Sequence, residues 1–226
     1  MEKFDDIVLE RFDEGRPILV GDILSLFPEV SRVTVYQNID AAISRGSLER
    51  YERGVYYIPR QGLFGKVPLS AESVVERKFI ARGDEVFGYY SGLTLENRAG
   101  LSEQVPAVLE ITTNAASKRV RSLGPSGGWK DVVIRKPRCE VTAENVDVLR
   151  FLDAITALSP KKMGKAALRN LGELACKAGR DRAFAYAAYY PAKTAKRLIE
   201  SGETAVMTLA SHFEIMTAQS FVGAFR

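Results

Sequence analysis

Between positions 17 and 60 the spacing of apolar residues changes twice, and the changes outline a succession of short elements. Gly21 to Phe27 predicts a short helix stopped by Pro28, followed by the tight turn Glu29-Val30-Ser31. A second helix is predicted from Arg32 to Arg45. Val35, Ile39, Ala42 and Ile43 recur there at spacings of 3 or 4 and form an inner face. Ser31 can cap its start by accepting a backbone N–H, and Gly46 suits the left-handed exit. Two strands follow, Leu48 to Tyr51 and Val55 to Ile58, joined by Glu52-Arg53-Gly54. Two helices with a tight turn and then a hairpin predict a winged helix-turn-helix, a module that docks on DNA.

The outer face of the second helix is then Thr34, Gln37, Ala41 and Ser44, flanked by Asn38 and Arg45. Gln and Asn can pair bidentately with adenine in the major groove, and Arg with guanine or phosphate. The N-terminal half of such a helix meets the bases, which selects Arg32, Thr34, Gln37 and Asn38. On the hairpin, Arg50 and Arg53 can hold backbone phosphates, contacts that set register rather than sequence. The competing reading is a winged helix used only for protein contacts.

Beyond this motif, residues 61 to 68 form a Gly/Pro connector, and Ser70 to Arg82 predicts a bridging helix with Val74, Val75, Phe79 and Ile80 apolar. Ser91 is placed to cap a helix through Ala99, with Gly100 as its exit and Leu101 folding back. An extended run covers Ala107 to Thr113 and ends at Asn114. Two more strands are predicted, Lys118 to Leu123 and Asp131 to Lys136, around the turn Gly124-Pro125-Ser126-Gly127-Gly128. That turn is no P-loop, because no Gly-Lys-Ser/Thr follows it.

The last third is helical in pattern. Thr142 caps a helix whose Val148, Phe151, Leu152, Ile155 and Leu158 form one stripe, ended by Ser159-Pro160. A helix near Ala166 to Ala178 buries Leu168, Leu171, Leu174 and Ala175, with Lys162, Lys165 and Arg169 along its other side. Further helices cover Arg182 to Tyr189 and the stretch from Pro191, where Lys193, Lys196 and Arg197 oppose Leu198 and Ile199. The tail from Glu203 contains Met207, Leu209, Phe213, Ile215, Met216, Phe221 and Val222, and reads as core or as an apolar surface for a partner.

Charge sharpens the picture. The 226-residue chain carries +4 overall, yet residues 115 to 200 hold 18 Lys or Arg against 8 Asp or Glu, a net of +10. Residues 1 to 60 have 8 basic and 11 acidic side chains, whereas 31 to 60 have 5 and 3. A docking face can thus be basic although its module is not. The C-terminal cations offer a surface for nucleic acid or an acidic partner, with simple solvation as the competing reading. Cys139 and Cys176 have neither disulfide-framework nor zinc spacing. No run approaches a membrane span, and Met-Glu-Lys-Phe-Asp-Asp lacks a secretory pattern, so a cytoplasmic location is expected.

A winged helix ending in RGVYYIP, followed by FGYYSGLTLENRAGLSEQVPAVLEITTN, resembles the AbiEi family of antitoxins, over about Gly21 to Asn114. These belong to bacterial type IV toxin–antitoxin systems, first associated with abortive infection of phage. The resemblance implies an N-terminal winged helix that binds and represses its own promoter. It also implies a C-terminal domain that counters a nucleotidyltransferase-class toxin. It extends to Arg32, Thr34, Gln37, Asn38, Arg50 and Arg53, and gives no dependable residues in the second domain.

The expected fold is α+β: a winged helix-turn-helix over residues 1–60, a connector and bridging helix over 61–84, and a mixed domain over 85–226. That last domain holds a small β-sheet followed by several helices. No catalytic constellation is visible, since the one histidine, His212, sits in the apolar tail. No cofactor or metal is implied. A winged-helix transcription factor with a ligand- or partner-sensing second domain is the alternative, and an enzyme carrying a DNA-binding module is a third reading.

Overall fold

The computed structural model describes residues 2–63, 65–117, 120–122 and 131–203. It is α+β, and it divides into two units, the first reaching Lys78 and the second beginning at Phe79.

In the first unit, α1 (Glu2–Arg11), β1 (Ile18–Leu19), α2 (Val20–Leu26) and α3 (Arg32–Arg45) precede a hairpin of β2 (Glu49–Glu52) and β3 (Val55–Tyr57). β1 pairs antiparallel with β3, giving a three-stranded sheet in the order β1-β3-β2. Helix α1 was not expected from the sequence. Its acids surround only two apolar core positions, Phe4 and Val8, spaced by four and both buried. The Phe4 ring stacks on Phe27 with centroids 4.9 Å apart. Val35, Ile39 and Ala42 face this core from α3, as their spacing predicts. Val35 and Ile39 each contribute roughly 1.5–3 kcal/mol by leaving water. Ser31 Oγ accepts the Thr34 N–H at 3.1 Å, and Gly46 ends the helix at φ +82°. The expected connector contains a second hairpin, β4 (Arg60–Gly62) with β5 (Gly65–Val67). Then α4 (Ala71–Phe79) follows, its Ser73 N–H held by Ser70 Oγ.

Helix α4 stops short of Arg82. In the second unit, β6 (Ala81–Arg82) instead pairs with β7 (Glu85–Val86) across a Gly83-Asp84 turn. β8 (Gly88–Tyr90), α5 (Gly92–Arg98), β9 (Val108–Thr113), β10 (Val120–Ser122) and β11 (Asp131–Arg135) follow. The sheet order is β10-β11-β9-β8, with β9 and β11 parallel and the other pairs antiparallel. Four helices follow among the described residues: α6 (Val146–Ala157), α7 (Lys165–Ala178), α8 (Arg180–Ala187) and α9 (Ala192–Glu203), with a 3₁₀ turn at Pro160–Lys162.

The predicted stripe of α6 is the centre of this unit. Val148, Phe151, Leu152 and Ile155 are fully buried, packed with Leu171, Leu174, Ala183 and Leu198. The helix starts four residues after Thr142, because buried Asn145 organises the approach. Its amide oxygen accepts the Thr142 N–H, and its amide N–H donates to the Glu140 carbonyl. Ile199 does not join Leu198 in the core and is 56% exposed.

The Gly124–Gly128 turn, the ends of the strand expected at 118–123, and the tail with Met207, Phe213, Phe221 and His212 lie outside the described residues. Among the described residues, no helix is long and apolar enough to cross a membrane, and no cluster of His, Cys, Asp or Glu could hold a metal.

Candidate functional site

Helix α3 presents its exposed side from its first turn onward. Arg32, Thr34 and Gln37 are exposed and Asn38 is half-buried. The exposed stripe is rotated relative to the expected one. Val33 (68% exposed) and Tyr36 (42% exposed) stand on it with Gln37, Asp40 and Ser44, while Ala41 is half-buried. Sequence reasoning missed Val33 and Tyr36 because apolar residues are assigned inward by default. The signal was that neither fits the 35-39-42 spacing. Two apolar groups on an outward face suit contact with a thymine methyl as well as with protein. The Thr34 hydroxyl lies 2.8 Å from Ser31 Oγ, so it is engaged in closing the first turn.

The arginines differ in their freedom. Arg45 is bound bidentately to Asp5 of α1, at 2.9 and 2.6 Å, and Asp5 also accepts from Ser47. The Arg45 guanidinium holds the Asp5 carboxyl below its ordinary value. Arg45 therefore ties α1 to the end of α3. Arg50 pairs with Asp40 at 2.8 Å and lies over the Tyr56 ring. Arg32 and Arg53 form no ion pair among the described residues. Arg53 sits in the two-residue loop of the β2–β3 hairpin, beside Gly54 at φ +81°. On the neighbouring strand, Glu49 accepts from Lys66 and from Tyr57, and both bonds lower its carboxyl. Burial first, then Glu49, pushes the Tyr57 hydroxyl up to about 12.

The cations expected to form a C-terminal surface also divide. Lys162, Lys165 and Arg169 are exposed on the 3₁₀ turn and α7, and Lys193 and Lys196 are exposed on α9. Arg197 is half-buried. Its Nη1 donates to the carbonyls of Ile155, Thr156 and Leu158 at 2.8–3.1 Å, closing the C-terminal end of α6.

The GYYSGLT segment has a structural account. Ser91 stands at the N-cap of α5, but its buried hydroxyl makes no cap bond. Glu110 of β9 takes that role by accepting the Leu93 N–H at 3.0 Å, and it also pairs with Arg135 of β11. A Cβ at Gly92 (φ +55°) would lie 1.7 Å from Glu110 Oε2, so the carboxylate fills the space that the glycine leaves. Beside this bridge opens a cleft of about 370 Å³ lined by Tyr89, Thr112, Arg135, Lys136, Arg138 and Asp153. Tyr89 donates to Asp153 at 2.9 Å. The Tyr190 hydroxyl lies between Asp153 and the Leu149 carbonyl, and the Arg138 guanidinium stacks 4.8 Å over the Tyr190 ring. Burial raises the Asp153 carboxyl, against the pull of the two tyrosines and the two arginines. Burial likewise raises both tyrosine hydroxyls.

No family model matches this chain, and neither does any curated protein.

Proposed function

We propose that the first unit is a winged helix-turn-helix and that the protein is a DNA-binding repressor and antitoxin. It autoregulates its operon and counters a nucleotidyltransferase-class toxin. It acts in the cytoplasm by binding rather than by catalysis. The observation that carries the DNA-binding half is the outward face of α3. A capped helix start exposes Arg32, Val33, Thr34 and Gln37 together, and the adjoining hairpin carries Arg53 without an ion-pair partner among the described residues. Base-reading groups at the start of a helix with a phosphate-binding arginine on a neighbouring hairpin is the division of labour such modules use. The antitoxin half rests on the sequence resemblance to AbiEi antitoxins.

A reporter fused to the upstream region of the gene tests the first half. Repression by the wild-type protein that is lost with Gln37→Ala supports it, and repression indifferent to α3 contradicts it. Co-expression with the product of the adjacent gene tests the second half, since growth must be restored if that product is the toxin.

One observation favours the alternative, a transcription factor whose second unit senses a ligand. The cleft beside Asp153 is large enough to hold a small molecule. A change in operator affinity on ligand addition would select it.

A further inference from the structure

We propose that the cleft beside Asp153 binds a small phosphate monoester, with Arg138 and Lys136 holding the phosphate. The proposal is independent of the DNA-binding reading, because every group involved belongs to the second unit.

Three cations reach this cleft from the end of β11 and the loop after it: Arg135, Lys136 and Arg138. Arg135 is neutralised by Glu110. Lys136 and Arg138 form no ion pair within 4.0 Å among the described residues. The remaining acid among the lining residues is Asp153, which is half-buried and already takes the Tyr89 hydroxyl. With Glu110 engaged by Arg135, it is the one acid among the lining residues to set against Lys136 and Arg138. The side chains of the cleft thus stay net positive even with Asp153 ionised, which favours an anion with several acceptor oxygens such as a phosphate monoester.

The geometry is prepared in advance. The contact with the Tyr190 ring, 4.8 Å from its centroid, restrains the Arg138 guanidinium, and a planar fork suits two phosphate oxygens at once. Holding the side chain before the ligand arrives reduces the ordering cost of binding. Thr112, buried in the wall, lines the same cleft. A volume of about 370 Å³ exceeds what a bare phosphate fills and leaves room for a sugar-sized group.

Isothermal titration of the full-length protein with ribose 5-phosphate, inorganic phosphate and ribose in low-chloride buffer tests this. Ribose 5-phosphate should saturate one site, inorganic phosphate should bind more weakly, and ribose should give no binding. The double variant Lys136→Gln/Arg138→Gln should lose at least about tenfold in affinity, whereas Lys165→Gln should not change it. Should the double variant fold poorly, Lys136→Gln alone, at an exposed position, should still weaken binding. Absence of saturable binding by ribose 5-phosphate would overturn the proposal. Equal loss in the Lys165 variant would also overturn it, by assigning the effect to overall charge. Equal affinity for inorganic phosphate and the ester would remove the organic part of the assignment.

Discussion

Asp40 of α3 and Arg50 of β2 hold each other, with Arg50 Nη2 2.8 Å from Asp40 Oδ1. Both side chains are half exposed or more, so the pair adds little to stability. Its consequence is electrostatic. An acid stands on the outward face of α3, and an arginine that could meet a phosphate is occupied in masking it.

Asp40→Asn should therefore release Arg50 and tighten binding to random DNA. The slope of log affinity against log salt should steepen by about 0.9, one phosphate's worth. Thermal stability should change by less than about 0.5 kcal/mol. Anisotropy titrations at several salt concentrations read the first two effects, and a melt reads the third. An unchanged slope would mean that Arg50 stays away from phosphate.

Gln37 and Arg53 should fail differently. Gln37→Ala should cost about 1–3 kcal/mol on the operator and little on random DNA, as expected for a base contact. Arg53→Ala should weaken both alike and flatten the salt slope by about 0.9. Paired titrations of each variant on the two DNAs check this. Equal losses on both DNAs for Gln37→Ala would remove it from base reading.

The Asp5–Arg45 bridge predicts a pH dependence. Asp5 is lowered from 3.8 in the folded state, chiefly by its hydrogen bond to Arg45. A lowered carboxyl contributes stability above its unfolded value and loses it as pH falls through the folded value. Asp5→Asn should thus lower the melting temperature at neutral pH, and the gap to wild type should shrink below about pH 3.8. Melts across that range give the answer, and a constant gap would exclude the bridge as the cause.

Gly92→Ala should destabilise the second unit by on the order of 2 kcal/mol or more. The left-handed backbone costs roughly 1–2 kcal/mol for a residue with a Cβ. The new methyl must also displace Glu110 from Leu93 and Arg135. Denaturant unfolding measures this, and a loss below about 1 kcal/mol would show that Glu110 moves aside freely.

How far the sequence foretold these features depends on whether the signal was local. The elements of α3 and its hairpin were legible because Ser31, Gly46 and the 35-39-42 spacing are local signals, as was the α6 stripe. Helix α1 was hidden because its apolar face is only Phe4 and Val8 among acids. The roles of Arg45 and Arg197 were not legible either. Their partners are Asp5, 40 positions away, and carbonyls about 40 positions away, and cation spacing carries no trace of either. The rotation of the α3 stripe has a different origin: Val33 and Tyr36 fall outside the 35-39-42 spacing, a local signal overridden by the default that assigns apolar residues inward. The cleft joins Tyr89, Arg138 and Asp153 from three separate segments, and no motif links them.

Recognition of DNA through the outward face of α3 is tested most directly by titrating the protein onto its own upstream DNA and onto random DNA of equal length, at two salt concentrations. Tight binding that prefers the upstream sequence at both salts, with the preference lost in Gln37→Ala, is the predicted result. Weak binding without preference, equally sensitive to salt on both DNAs, would contradict it and leave the first unit as a module for protein contacts.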